Sequence, residues 1–356
     1  MPMVLLLAVL SPLIACQPRH VVITTDDSRN TDADADADAD TDADSDADAD
    51  TDTDADADAD TDTDLPISSY ACDELPEFNL RDLTLENARA NHGLTFDDAG
   101  SLIGWDGRAS LVKSRYDGTM NLWVPGMTGV EQIDRLPDGT AVVVDRGAGR
   151  IARVTDAGAL ETLASDVGRV YGLTTGPDGK LYVTNGNIVR IDPATGESST
   201  LVVPNGTYSF HAVNFNLDST RMYLGTSYGV GDVYYVDLDE DLNPITEPQI
   251  YASRVGSGWQ DGIELDTCGN VYVAEYYTFG LYRISAGDRR VTRLTEPTTT
   301  NLYYGHGLVW GSGIDGWRED TLYQPQPYND SKVREVVIGA RSGDTVRTWR
   351  GVPAPW

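Results

Sequence analysis

The chain has 356 residues, of which 57 are acidic and 26 are basic, so its formal net charge is −31 at pH 7. Setting aside the 19 acids and two arginines that precede Leu65 leaves 38 acids against 24 bases. A region with this negative balance repels a phosphate backbone, so nucleic acid is not expected as a partner.

The N-terminus has the pattern of an export signal. Val4 to Ala15 is an apolar run as long as a signal-peptide core and too short to span a bilayer. Leu13-Ile14-Ala15-Cys16 resembles the bacterial lipobox, in which cleavage precedes a cysteine that is then lipidated. The resemblance implies a signal peptide over residues 1–15, a lipid anchor on Cys16, and a place in the bacterial cell envelope, at the outer membrane or cell surface. An ordinary secretory peptide cut elsewhere is the alternative.

A run of aspartates follows. From Asp32 to Asp64 every second residue is Asp, which gives 17 acids and no base in 33 residues. Self-repulsion keeps such a segment extended, and it cannot bury a core. We therefore predict that residues 16–64 form a lipidated N-terminus and a disordered tether below a folded domain at residues 65–356. The run lacks the Gly and spaced Glu of an EF-hand loop, so diffuse cation association is expected there.

Six later segments share one pattern, in which a polar or aromatic residue starts a short alternating run that ends in a turn. They are HGLTFDDAG, EQIDRLPDG, YGLTTGPDG, HAVNFNLDS, DGIELDTCG and HGLVWGSGI. Their first residues, the ring residues below, are His92, Glu131, Tyr171, His211, Asp261 and His306, spaced 39, 40, 40, 50 and 45 apart. A repeat of about 40 to 50 residues built from short strands is typical of a β-propeller.

Each repeat continues with further β-rich runs, such as SLIGWD and ASLVKSR after the first segment. Apolar residues at alternate positions, separated by Asp-Gly and Asn-Gly turns, indicate half-buried strands. We predict an all-β, six-bladed β-propeller with four strands per blade. The fourth runs are less regular, and DTVRTWRG at 344–351 is the candidate in the last repeat. Residues 79–86 are expected to add a strand to the last blade and lock the ring.

Two cysteines remain if Cys16 is lipidated. Cys72 precedes the first blade, and Cys268 lies in a turn of the fifth. In an oxidising compartment they offer one possible disulfide.

The histidines are concentrated in the ring. The chain has four, and His92, His211 and His306 all occupy ring positions, whereas His20 lies near the leader. Imidazole and carboxylate groups that converge on an axis predict a metal site with these three ring histidines and Asp261 as ligands. The alternative is a wet channel lined by the same side chains.

Two family resemblances bear on this ring. PDGT, PDGK and DGIELDTCGNVYVAEY resemble the propellers of senescence marker protein and gluconolactonase, and NHL-repeat propellers carry similar phrases. Lactonases of the resembled family hold a divalent cation through Glu, Asn and Asp. Asp261 matches their Asp, His211 stands at their Asn, and His92 stands at their Glu, with the Glu131 carboxylate one blade on.

The second resemblance is to peptidyl-hydroxyglycine amidating lyases, which are six-bladed propellers with zinc held by three ring histidines. Asn91-His92-Gly93-Leu94 is similar to one of their phrases, and His211 and His306 match the other two histidines by position. Asn187 stands where the lyase has its catalytic Tyr. Gly307 stands where an Asp follows the last histidine. The two resemblances together imply zinc or calcium as the cofactor.

Two functions from different classes follow. One is a metal-dependent hydrolase, lactonase-like, or a lyase acting on a small molecule, with Asp261 or Glu131 as ligand or general base and Arg146 on a developing anion. The other is a non-catalytic cell-surface propeller that binds a small molecule or a surface ligand. The protein is expected to be a monomer held at the membrane by its lipid anchor.

Overall fold

The computed structural model describes residues 72–78, 80, 82–295 and 305–354. Within these residues the strands form six four-stranded antiparallel sheets, which confirms the predicted all-β, six-bladed propeller. The chain divides into two units, Met1–Asp62 and Thr63–Trp356, and all described residues belong to the second. Cys16 and the aspartate run lie outside the described residues, so the domain limits at 15, 64 and 65 stay predictions.

The first strand, β1, precedes the first blade and spans Asp82–Leu85. Blade one contains β2 (Leu94–Phe96), β3 (Leu102–Trp105), β4 (Ser110–Ser114) and β5 (Met120–Pro125). Blade two contains β6 (Val130–Arg135), β7 (Ala141–Asp145), β8 (Arg150–Val154) and β9 (Leu160–Ser165). Blade three contains β10 (Gly172–Thr175), β11 (Leu181–Thr184), β12 (Ile188–Ile191) and β13 (Ser198–Val202).

Blade four contains β14 (Ser209–Phe215), β15 (Arg221–Ser227), β16 (Val233–Asp237) and β17 (Gln249–Ala252). Blade five contains β18 (Gln260–Leu265), β19 (Val271–Glu275), β20 (Gly280–Ile284) and β21 (Val291–Arg293). Blade six contains β22 (Val309–Trp310), β23 (Thr321–Gln326), β24 (Lys332–Val337) and β1. In each blade the sequence-first strand of the repeat is innermost.

The two ends of the propeller meet in blade six. Strand β1 pairs antiparallel with β24, from Asp82 opposite Val336 to Leu85 opposite Val333, so the expected N-terminal strand closes the ring. The prediction of an outer strand at 344–351 is wrong. This segment contains a 3-10 turn, Gly343–Thr345, because β1 already occupies the free edge of β24.

The core lies between neighbouring blades. The second strands β7 and β19 are buried along their whole length because a blade covers each of their faces. The outer strand β5 is largely exposed. Between blades five and six, Tyr272 and Leu281 pack with Leu322, Val336 and other buried side chains. The rigid framework around the channel therefore comes from blade-on-blade packing. No helix in the described residues is long and apolar enough to cross a membrane.

A disulfide joins the segment before the first blade to the fifth blade. Cys72 and Cys268 are bonded, with their Cα atoms 5.5 Å apart and 196 positions apart in sequence. The bond lies beside the apolar cluster of blades five and six, which Cys268 contacts. It therefore fastens the N-terminal segment of the described chain to the propeller.

We expect the double variant Cys72→Ser/Cys268→Ser to unfold at a lower temperature than the oxidised protein. A cross-link across so long a loop restricts the unfolded chain, and such bonds typically contribute about 2–4 kcal/mol. Calorimetry of the oxidised, reduced and variant proteins measures the effect. The reduced protein should match the variant, and equal melting temperatures for all three would contradict a stabilising disulfide.

Candidate functional site

All six ring residues line one pocket at one end of the central channel. The pocket has a volume of about 280 Å³. Its seven other lining residues are Gln132, Arg146, Arg169, Trp259, Tyr276, Tyr277 and Tyr328. The repeat spacing thus predicts which positions of the chain meet at the axis.

β-Bulges occur where the inner strands carry ring residues. In β14 the register with β15 shifts between Phe210 and Ala212, which leaves His211 without a partner across the ladder. In β18 the same shift leaves Asp261 unpaired. A bulged residue is released from the alternation of its strand, and bulges commonly re-aim side chains beside active sites. Here they occur where the two side chains reach the pocket.

Glycine follows four of the ring residues, and the neighbouring blade explains why. These glycines are Gly93, Gly172, Gly262 and Gly307. A Cβ atom on Gly93 would lie 2.4 Å from the backbone nitrogen of Ile133, and one on Gly172 would lie 2.5 Å from the carbonyl oxygen of His211. The inner strand of one blade therefore contacts the backbone of the next, and no side chain fits between them.

Asp261 lies at the centre of the site, between two imidazoles. Its Oδ1 is 2.5 Å from His211 Nδ1, and its Oδ2 is 2.7 Å from His306 Nδ1. Neither contact has hydrogen-bond geometry. Both carboxylate oxygens and both His211 nitrogens are buried and have no hydrogen-bond partner among the described residues. Two imidazole nitrogens therefore lie within contact distance of one buried carboxylate whose oxygens have no hydrogen-bond partner among the described residues, which is rare in proteins.

The environment sets the charges of this group. Burial favours the neutral form of Asp261, but His211 and His306 outweigh burial and hold the pKa of this carboxyl below its usual range. Burial, and next the adjacent His306, lower the pKa of His92 to about 3. The rings of His92 and His306 are 4.1 Å apart. His92 is therefore neutral at physiological pH, and its buried Nδ1 has no hydrogen-bond partner among the described residues.

Glu131 and Arg146 form a second charged group beside the histidines. Nη1 of Arg146 donates to both Glu131 oxygens, at 3.1 and 3.2 Å. His92 Nε2 lies 3.9 Å from Oε2 of the same carboxylate. Glu131 is buried, whereas the Arg146 side chain is 45% exposed and reaches the solvent side of the pocket. All residues predicted to bind metal or catalyse, His92, Glu131, Arg146, His211, Asp261 and His306, are thus neighbours.

No preformed metal cage accompanies them. Across 72–78, 80, 82–295 and 305–354, no group of three or more His, Cys, Asp and Glu side chains has an arrangement that could hold an ion as it stands. The roles predicted for the ring residues therefore stay predictions.

Sequence reasoning missed Gln132, Arg169, Trp259, Tyr277 and Tyr328 as lining residues. Arg169 and Trp259 each stand two positions before a ring residue, in the loop that enters an inner strand. The equivalent positions before His92, Glu131 and His211 do not line the pocket, so this offset alone is no general signal. Tyr277 and Tyr328 follow second strands, in loops that share this face with Tyr276.

Two carboxylates at the ends of second strands hold nearby loops and do not line the pocket. Asp145 pairs with Arg150 at 3.0 Å. Glu275 is fully buried and accepts hydrogen bonds from the Ser257 hydroxyl, the Trp259 amide and the Thr278 amide at 2.8, 3.3 and 2.6 Å. These carboxylates hold the loops that shape the pocket.

The other end of the channel contains a second cavity of about 380 Å³, lined in part by Asp134, Glu264, Asp344 and Arg347. Burial raises the pKa of Asp134 to about 6. Burial, followed by repulsion from Asp344 and Asp134, raises the pKa of Glu264 well above its usual value. Arg347 pairs with Asp344 and donates to Phe215 O at 2.9 Å. This end of the channel is therefore rich in buried carboxyls whose pKa values are raised.

We expect Glu264→Gln to stabilise the propeller more at pH 8 than at pH 4. A carboxyl whose pKa is raised by folding keeps its proton at low pH, so the folded state loses stability as pH rises through that pKa. Unfolding in denaturant at several pH values measures the difference. Glu197→Gln, at an exposed acid, should leave the pH profile unchanged. Parallel profiles for the wild type and Glu264→Gln would contradict the raised pKa.

The chain matches no protein-family model. No curated protein matches it significantly in sequence. Solved structures do match its fold. Regucalcin, a calcium-binding protein from Agrobacterium tumefaciens, aligns with a TM-score of 0.60 and 15% identity over 78% of this chain and 98% of its own. A gluconolactonase from Xanthomonas campestris aligns with a TM-score of 0.58 and 16% identity over 76% and 93%.

Virginiamycin B lyase from Staphylococcus aureus aligns with a TM-score of 0.50 and 17% identity over 74% of this chain and 100% of its own. This chain shares their fold. The predicted resemblance to gluconolactonase-type propellers is thereby confirmed. At these identities the likeness shows architecture alone, so activity must be argued from the site.

Proposed function

We propose that the ring is the centre of a metal-dependent hydrolase or lyase that acts on a small molecule. The observation that carries this proposal is the buried Asp261 between His211 and His306, with short contacts that lack hydrogen-bond geometry. A buried carboxylate needs a compensating charge, and a cation supplies one to atoms that do not satisfy each other.

The donor set suits one class of metal. Imidazole nitrogen with one carboxylate is the ligand chemistry of zinc and related transition metals, whereas calcium takes oxygen ligands. His211, Asp261 and His306 would hold the ion, and His92 beside His306 is a neutral fourth donor. When bound, such an ion polarises a carbonyl or acidifies a water molecule. The donor chemistry thus favours zinc over the calcium that regucalcin binds.

The other residues have roles that follow from their positions. Glu131 is a buried carboxylate at the rim of the histidine group, placed to take a proton from a water molecule or from a substrate carbon. Arg146 donates two hydrogen bonds to Glu131 and keeps an exposed edge on the pocket, where it can stabilise a developing anion. Hydrolysis and elimination both need this pair of functions.

We expect the full chain to retain about one equivalent of zinc after dialysis, and His211→Ala to bind zinc more than about tenfold more weakly. The propeller should stay folded in this variant because strand pairing and blade packing do not involve the imidazole. Elemental analysis and zinc titration measure the metal, and circular dichroism checks the fold.

His20→Ala is the matched control, since His20 is the one histidine outside the ring. It should leave zinc binding unchanged. Full zinc occupancy in His211→Ala, or no bound zinc in the wild type after exposure to zinc, would contradict the metal proposal. Calcium binding with no zinc binding would overturn the choice of metal.

A non-catalytic binding propeller is the second candidate. Exposed aromatic side chains on the pocket face favour it, since Tyr228, Tyr277 and Tyr328 are 62%, 54% and 51% exposed. Such rings supply contact area to a ligand without chemistry. This function would be favoured by tight ligand binding without turnover of a panel of lactones or of compounds that form a double bond on elimination.

We also propose that Cys16 carries a lipid that holds the propeller at the bacterial cell envelope. The lipobox-like Leu13-Ile14-Ala15-Cys16 and the aspartate run after it support this placement. Two or more acyl chains are needed for stable anchoring.

We expect Cys16→Ser to move the protein from the membrane fraction to the soluble fraction without changing its melting temperature. Cys16 precedes the folded domain predicted at residues 65–356, so folding should not depend on the lipid. Fractionation of expressing bacteria measures the change. Cys72→Ser is the control, because it should stay with the membrane. A Cys16→Ser protein that remains membrane-bound would contradict the lipid anchor.

A further inference from the structure

One cation that lines the pocket, Arg169, forms no ion pair with any described residue. The Arg169 guanidinium lies 4.8 Å from the centre of the Tyr171 ring, and no carboxylate of a described residue lies within 4.0 Å of it. Arg146, in contrast, is neutralised by Glu131. A guanidinium held over an aromatic face at a pocket mouth is pre-oriented for an anionic group.

An aromatic wall lies on the other side of the same pocket. Arg169 enters from the loop before blade three, whereas Tyr277 and Tyr328 belong to blades five and six. Trp259 packs edge-on against Tyr277, with ring centroids 5.6 Å apart, and against Tyr228 at 5.2 Å. Exposed, mutually supported rings of this kind suit the face of a flat or saturated ring in a ligand.

One buried carboxylate holds the loops that carry the aromatic wall. Glu275 is fully buried, and its Oε1 accepts from the Trp259 amide while its Oε2 accepts from the Thr278 amide. One carboxylate therefore fixes the loops on both sides of the aromatic wall. A pre-organised wall reduces the ordering cost of binding a ligand.

We propose that the substrate is a ring compound that carries a carboxylate, with its ring on the wall of Trp259 and Tyr277 and its carboxylate on Arg169. The pocket that the ligand would occupy is also lined by Asp261 and the histidines, and in that respect the inference rests on the proposed function. One unpaired guanidinium matches one negative charge. A phosphate group would bring about two, which is one more than this guanidinium neutralises.

Calorimetric titration of the full chain tests the inference with matched pairs of probes. The acids are D-glucuronate and benzoate, their neutral counterparts are D-glucose and benzyl alcohol, and glucose 6-phosphate tests the charge. We expect at least one acid to bind at least about tenfold more tightly than its neutral counterpart. The acid that shows this preference distinguishes a carbohydrate source from an aromatic one.

Arg169→Gln should abolish the preference for the acid and leave the weaker binding of the neutral ring unchanged. Tyr277→Ala should weaken acid and neutral ring alike. Arg289→Gln is the matched control, since Arg289 also lies over a tyrosine ring, 5.0 Å from the centre of Tyr251, but does not line the pocket. Melting temperatures check that each variant is folded.

Equal binding of acid and neutral ring, no binding of either acid at millimolar concentration, tighter binding of glucose 6-phosphate, or a preference that persists in Arg169→Gln would each overturn the inference. These titrations need neither turnover nor zinc analysis. A protein that prefers ring acids but binds no zinc would therefore contradict the proposed catalysis, and ring acids would remain its ligand class.

Discussion

The close approach of six inner strands around one axis is the constraint on which the site depends. At Gly93, Gly172, Gly262 and Gly307 a backbone of the next blade occupies the space where a side chain would begin. The ring residues immediately before these glycines are consequently crowded onto a narrow circle. Proximity of the charged and aromatic groups is thus a result of backbone packing, and the groups need no attraction for one another to meet.

Crowding at the axis buries charged side chains, and this burial has an electrostatic cost. Asp261 and Glu131 are both buried. Glu131 is compensated by Arg146, whereas Asp261 faces imidazoles that do not hydrogen-bond to it. The carboxyls at the far end of the channel respond differently, since burial raises the pKa values of Asp134 and Glu264. The two ends of the channel therefore shift carboxyl pKa values in opposite directions, because His211 and His306 lower the pKa of Asp261.

Period and alternation were enough to predict the blades and the ring, because each repeat reports the same geometry. They failed where residues act outside the repeat. Residues 344–351 alternate like a strand, but the edge they would need is taken by β1, and sequence cannot decide between competitors for one edge. Arg169 and Trp259 were missed because loops carry no period. The absence of hydrogen-bond geometry at Asp261 depends on side-chain angles, which no pattern of letters encodes.

A strand residue normally both pairs across the ladder and presents its side chain. The bulges at His211 and Asp261 release these two residues from the pairing. Because neither residue has a partner across the ladder, exchanging its side chain removes no cross-strand pair. Blades four and five therefore hold these two axial side chains independently of the pairing that builds the blade. An engineer could exchange the axial group at either position without losing a cross-strand pair.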